Sequence, residues 1–108
     1  MIVSYPRFIV KPPVSIFASS GSTLTLNCSA AGDPQPVISW RKQGGHLPVG
    51  RNQQITSALV IRDITKNDTG YYICTATSAG VFDVETLTHL QAYPQRGQLQ
   101  IKLKERKL

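Results

Sequence analysis

The chain has no run approaching the roughly 20 apolar residues that a membrane helix requires, so no segment of it reads as a helical span. Its 108 residues include only two histidines, His46 and His89. Two ligands on separate segments do not make a zinc site, which takes three or four. Acidic residues are also few, six against twelve Lys and Arg, and Asp33, Asp63, Asp83 and Glu85 lack calcium-loop spacing. There is no glycine-rich phosphate loop, no G-x-S-x-G and no carboxylate pair set for acid–base work. These absences argue against an enzyme and give no reason to expect a metal or cofactor. The opening Met1-Ile2-Val3-Ser4-Tyr5-Pro6 lacks the basic start and long apolar core of a secretory signal. The expectation is a segment of a longer secreted or membrane-anchored protein, with a complete cytosolic protein as the rival.

The charge that is present is unevenly placed. Residues 1–94 carry seven basic and five acidic side chains, a net of +2. Residues 95–108 carry Arg96, Lys102, Lys104, Arg106 and Lys107 against Glu105, a net of +4. A tail of this sign can attract a glycosaminoglycan such as heparin; otherwise it is a solvated linker. No nucleic-acid partner and no direct membrane insertion are expected.

The length fits one domain. Alternation of apolar and polar residues marks short strands. Arg7 to Val10 reads as a strand, Lys11-Pro12-Pro13 interrupts it, and Val14 to Phe17 resumes it. Leu24, Leu26 and Cys28 alternate with Thr23, Thr25 and Asn27. Val37 to Lys42 follows the turn-rich Gly32-Asp33-Pro34-Gln35-Pro36, with Ile38 and Trp40 inward. Gln43 to His46 is a turn, and Leu47 to Gln54 has room for only a short strand. Thr56 to Ile61 is a strand with Leu59 and Ile61 inward, and Ile64 plugs the core at the next corner. Tyr71 to Thr77 places Tyr72, Cys74 and Ala76 inward. Val84 to Tyr93 places Thr86, Thr88, Leu90 and Ala92 inward. Beyond Pro94, Leu99, Ile101 and Leu103 alternate with polar residues.

Cys28 and Cys74 bracket the single tryptophan, Trp40, and Asp68-Thr69-Gly70-Tyr71-Tyr72-Ile73 precedes the second cysteine. This cysteine, tryptophan and D-x-G-x-Y-x-C pattern resembles the immunoglobulin superfamily. The stretch Gly32-Asp33-Pro34-Gln35-Pro36-Val37-Ile38-Ser39-Trp40 is similar to the I-set branch, which supplies adhesion molecules, receptor ectodomains, matrix proteins and muscle filaments. The resemblance implies an all-β Greek-key sandwich of two antiparallel sheets over residues 6–93. Residues 1–5 are then an N-terminal extension and 94–108 a basic tail or linker. It implies that the first strand splits at Lys11-Pro12-Pro13, with Val14 to Phe17 joining the opposite sheet, and it implies a Cys28–Cys74 bridge against Trp40. Closing a loop of 46 positions, that bridge stabilises by about 4 kcal/mol. It implies that Tyr72 pins the preceding turn through its hydroxyl. It also implies that Asp68 pairs with a basic residue, Arg51 first and Arg62 second, and that Leu59 belongs to the core signature. A last strand starting at Val84 lies about two residues later than the family pattern, which implies a longer hairpin or a bulge.

Two N-x-[ST] sequons, at Asn27 and Asn67, favour an extracellular glycoprotein. Strand parity turns Tyr71, Ile73 and Leu87 outward, with Arg41 at their rim. These four residues are the candidate site for a protein partner, a second copy of the chain included. The functional expectation is non-catalytic recognition in a cell-adhesion or receptor protein. The alternatives are a cytoplasmic muscle-filament-like spacer and glycosaminoglycan binding through the tail.

Overall fold

A computed structural model describes residues 4–94. The expected features of the tail, including Leu99, Ile101, Leu103 and its five basic residues, lie outside the described residues. Nine strands follow in order: β1 (Ser4–Val10), β2 (Ser15–Ser19), β3 (Leu24–Asn27), β4 (Ser29–Asp33), β5 (Val37–Lys42), β6 (Asn52–Ile55), β7 (Ala58–Ile61), β8 (Gly70–Ser78) and β9 (Phe82–Tyr93). A short 3-10 turn, Lys66–Asp68, precedes β8.

One layer is the four-stranded sheet β2-β9-β8-β5. The other is built from β3-β7-β6 and the pair β1-β4. β3 and β4 are consecutive, parted only by Cys28. The Cys28–Cys74 bridge ties the layers together, with Cα atoms 6.7 Å apart. Between them Leu24, Leu26, Trp40, Leu59, Ile61, Ile64, Tyr72 and Leu90 are buried with both half-cystines in one cluster. Alternation supplies this core from both inner faces, as a sandwich requires. Trp40 pairs across strands with Cys74 and donates its indole N–H to the Ser57 carbonyl at 3.2 Å.

The break at Lys11-Pro12-Pro13 divides the first strand between layers. β1 runs antiparallel to β4, whereas β2 runs parallel to β9. Proline has no N–H to give a ladder, so the chain changes sheets where pairing must lapse anyway.

Several boundaries differ from expectation. β1 starts at Ser4 rather than Arg7, and the Tyr5 ring lies 4.4 Å from that of Phe82. Thr56 and Ser57 do not begin a strand. They form a two-residue turn between β6 and β7, with Thr56 at a φ of 57°. β9 begins at Phe82, and its pairing with β8 runs without a shift from Gly70↔Leu90 to Ser78↔Phe82. The last hairpin is therefore tight and its strand is not bulged. The hydrophobic pattern starts late because the inward residues opposite Cys74 and Tyr72 are Thr86 and Thr88.

Candidate partner-binding face

The corner ahead of β8 fixes how that strand presents its side chains. Tyr72, wholly buried, donates its hydroxyl to the Asp68 carbonyl at 2.6 Å. Arg51 grips the Asp68 carboxylate with both terminal nitrogens, each at 3.0 Å, and also donates to the carbonyls of Arg62 and Asp63. Arg62 instead donates to Gln53, so Arg51 is the partner of Asp68. Burial opposes the charged form of Asp68 most strongly. The hydrogen bonds from Arg51 and the Thr65 N–H, with the charges of Arg51 and Lys42, together overcome it and lower its pKa. The hydrogen bond to Asp68 raises the Arg51 pKa against a smaller desolvation. Burial, helped by the nearby Asp68 charge, pushes the Tyr72 phenol above its ordinary range. Lys42 crosses from β5, donating to the Asn67 carbonyl at 3.0 Å with its ammonium 5.7 Å from the Tyr72 ring centre. Gly70 sits beneath it at a φ of +154°, where an added Cβ would meet Lys42 Cε at 3.0 Å. The glycine of the D-x-G-x-Y motif suits that backbone conformation, and a side chain there would also have to displace the end of Lys42.

With Tyr72, Cys74 and Ala76 facing the core, Tyr71, Ile73 and Thr75 face the other side of β8. The register builds rows across that face. Tyr71 lies opposite His89, Ile73 lies between Arg41 and Leu87, and Thr75 lies between Ser39 and Glu85. The Tyr71 and His89 rings stack at 4.5 Å, a cross-strand pair of the kind that stabilises sheets. Tyr71 and Leu87 are 43% and 45% exposed.

Ile73 was expected to be exposed with them, and it is only 8% exposed. It faces outward, but β8 is an inner strand, and Arg41 and Leu87 close over it from the two neighbours. It forms the floor of a shallow depression walled by Arg41, Gln43, Glu85 and Leu87. One edge of that depression is polar. Arg41 binds Glu85 at 2.7 Å and the Thr75 hydroxyl at 2.9 Å. Both members of the ion pair are about half exposed, so the pair orients the edge more than it stabilises the fold.

The sequence reading missed Phe17, which is 65% exposed. Its strand β2 joins β9 in parallel with Phe17 opposite Gln91 and Ser19 opposite Tyr93. Ile16 and Ala18 pack toward the core, so Phe17 turns to the same face as Leu87 and His89. The resemblance sends Val14 to Phe17 to this sheet, as observed, and the signal for Phe17 is the inward/outward alternation within that strand. The two sequon asparagines are both exposed, Asn27 on the outer face of β3 and Asn67 on the 3-10 turn. Among the described residues no group of three His, Cys, Asp or Glu side chains is placed to hold a metal ion.

A model of the immunoglobulin domain matches residues 6–78. The chain is 38% identical over 99 residues to the basement membrane-specific heparan sulfate proteoglycan core protein of Mus musculus, covering 85% of this chain and 3% of that protein. It is 39% identical over 85 residues to protein turtle homolog A of Homo sapiens, covering 79% and 7%. Among solved structures, the insect immune protein hemolin superimposes with a TM-score of 0.73 at 32% identity, covering 84% of this chain and 23% of hemolin. The chain thus spans a small fraction of each of these relatives.

Proposed function

The chain belongs to the immunoglobulin domain family, and from that premise we propose that it is a non-catalytic, extracellular recognition module of an adhesion or receptor protein. It resembles the I-set kind, and its binding surface is the outer face of β2-β9-β8-β5. The observation that carries this reading is the grouping of Tyr71, Leu87 and His89 around the Ile73 floor, with Arg41 and Glu85 at the rim and Phe17 exposed further along the same face. Half-exposed aromatic and aliphatic groups gathered on one rigid face suit a partner interface better than scattered single ones do. Aromatic anchors bordered by an arginine are the composition from which interface centres draw their energy. The disulfide and the sequons support an oxidising, secretory setting.

The first partner to test is a second copy of the chain. The hemolin structure is described as having implications for homophilic adhesion, and a flat sheet face is suited to a two-fold contact with itself. The test is bead aggregation and sedimentation, followed by binding to a panel of cell-surface ectodomains. Tyr71→Asp with Leu87→Asp is expected to weaken the association at least tenfold while the domain stays folded, with a modest fall in Tm because the Tyr71–His89 stack and part of the cover over Ile73 are lost. Ile73→Asp is unsuitable, because it buries a charge and threatens the fold. Binding that survives the double substitution, or no binding to any of these partners, would defeat the reading.

A further inference from the structure

The opposite sheet holds a feature that recognition by the first face does not use. Asn27, Ala58 and Ile55 lie in one row across β3, β7 and β6. Leu26 and Leu59 beside them point into the core, so all three face outward. Ala58 in the middle is small. Two strand spacings separate the outer members by roughly 10 Å, room enough for a sugar ring to lie between them. The row lies in an open groove of about 600 Å³ that Val10 and Ser29 also line. Ile55 and Val10 leave 54% and 45% of their surface exposed there. Ser29, the hydroxyl residue of the Asn27-Cys28-Ser29 sequon, lines the same groove as the acceptor asparagine.

We propose that Asn27 carries an N-linked glycan whose first N-acetylhexosamine lies in this groove, its apolar C–H face over Ala58 and Ile55. In the attachment step Asn27 Nδ2 bonds to C1 of the first sugar of a lipid-pyrophosphate-linked oligosaccharide. The C1–O bond breaks, its electron pair leaves with the pyrophosphate, and the amide proton passes to a base of the transferase. The glycan then covers apolar surface that the fold leaves open, and it leaves the β2-β9-β8-β5 face free for a partner. The inference rests on the extracellular part of the reading above.

The full chain is secreted from eukaryotic cells behind an added export signal, with Asn67→Gln leaving one acceptor. Peptide mass spectrometry is expected to find a glycan on Asn27. Adding Asn27→Gln is expected to lower Tm by about 4 °C or more. In an Ile55→Ser background, which exposes no buried group, the same change is expected to cost less than half as much. An unmodified Asn27 overturns the inference, as does a Tm difference that is absent or equally large in both backgrounds. Partner binding on the same preparations separates the two ideas. A bare Asn27 with intact binding defeats only the glycan, and a seated glycan with no binding defeats only the recognition face.

Discussion

Tyr72 and Asp68 are joined twice: directly, by a 2.6 Å hydrogen bond from the buried phenol to the Asp68 carbonyl, and indirectly through the corner that the Asp68 carboxylate holds with Arg51. The chain therefore enters β8 at a fixed angle, which sets the parity that turns Tyr71 outward and Cys74 inward.

Tyr72→Phe removes one oxygen and leaves the Asp68 carbonyl without that donor in a buried setting. The expected loss is about 1–3 kcal/mol in chemical denaturation, with the sandwich intact by circular dichroism. A loss below about 0.5 kcal/mol would show that the corner holds without the phenol.

Arg51→Met leaves the nearly buried Asp68 carboxylate without its paired cation. A loss of about 3 kcal/mol is expected at neutral pH, close to what breaking a buried pair costs. Asp68→Asn in the same background is expected to recover part of that loss, because it removes the unpaired charge. Equilibrium urea unfolding of both variants provides the check.

Asp68 also sets an acid limit. Its folded pKa lies below the ordinary 3.8, so below that value the unfolded chain binds this proton more readily than the folded one. The stability from the carboxylate is complete above the unfolded pKa and is lost as pH falls through the folded value. Urea unfolding from pH 6 down to pH 2 is expected to show falling stability at the acid end. The slope should be shallower in Asp68→Asn. Equal slopes would place the acid sensitivity elsewhere.

Thr88 is wholly buried beside Tyr72, and its hydroxyl has no hydrogen-bond partner among the described residues. Thr88→Val keeps the shape and the β-branching and removes that polar atom. A gain of about 1 kcal/mol in stability is expected. Destabilisation would mean that the hydroxyl is satisfied in solution.

The core was legible because it is written locally. Trp40, Tyr72 and Cys74 each sit on a strand whose alternation is regular, and Cys28 continues the alternation of Leu24 and Leu26, so their inward direction follows from parity. The Arg51–Asp68 pair came from family resemblance, since nothing in the spacing chooses Arg51 over Arg62. Ile73 shows the limit of parity, which gives direction but not exposure. Exposure depends on Arg41 and Leu87, contributed by strands far away in the chain. Phe17 was missed for a related reason: the sheet that its strand joins was legible from the resemblance, but which of its residues lie beside those of β9 depends on a register that only the fold supplies. Thr56 and Ser57 resemble a strand by composition. Their turn is imposed by the pairing of β6 with β7, which places Thr56 in a conformation usually left to glycine.

The parallel alignment of β2 with β9 matters when the molecule is pulled. Five residue pairs, Ser15↔His89 to Ser19↔Tyr93, hold a strand near the start of the chain beside one near its end. Tension from the two ends draws β2 backward and β9 forward along the same line, so the bonds between them must fail together by sliding instead of peeling open in turn. Loaded in this way, the two strands would act as a mechanical clamp, keeping the β2-β9-β8-β5 sheet assembled under traction.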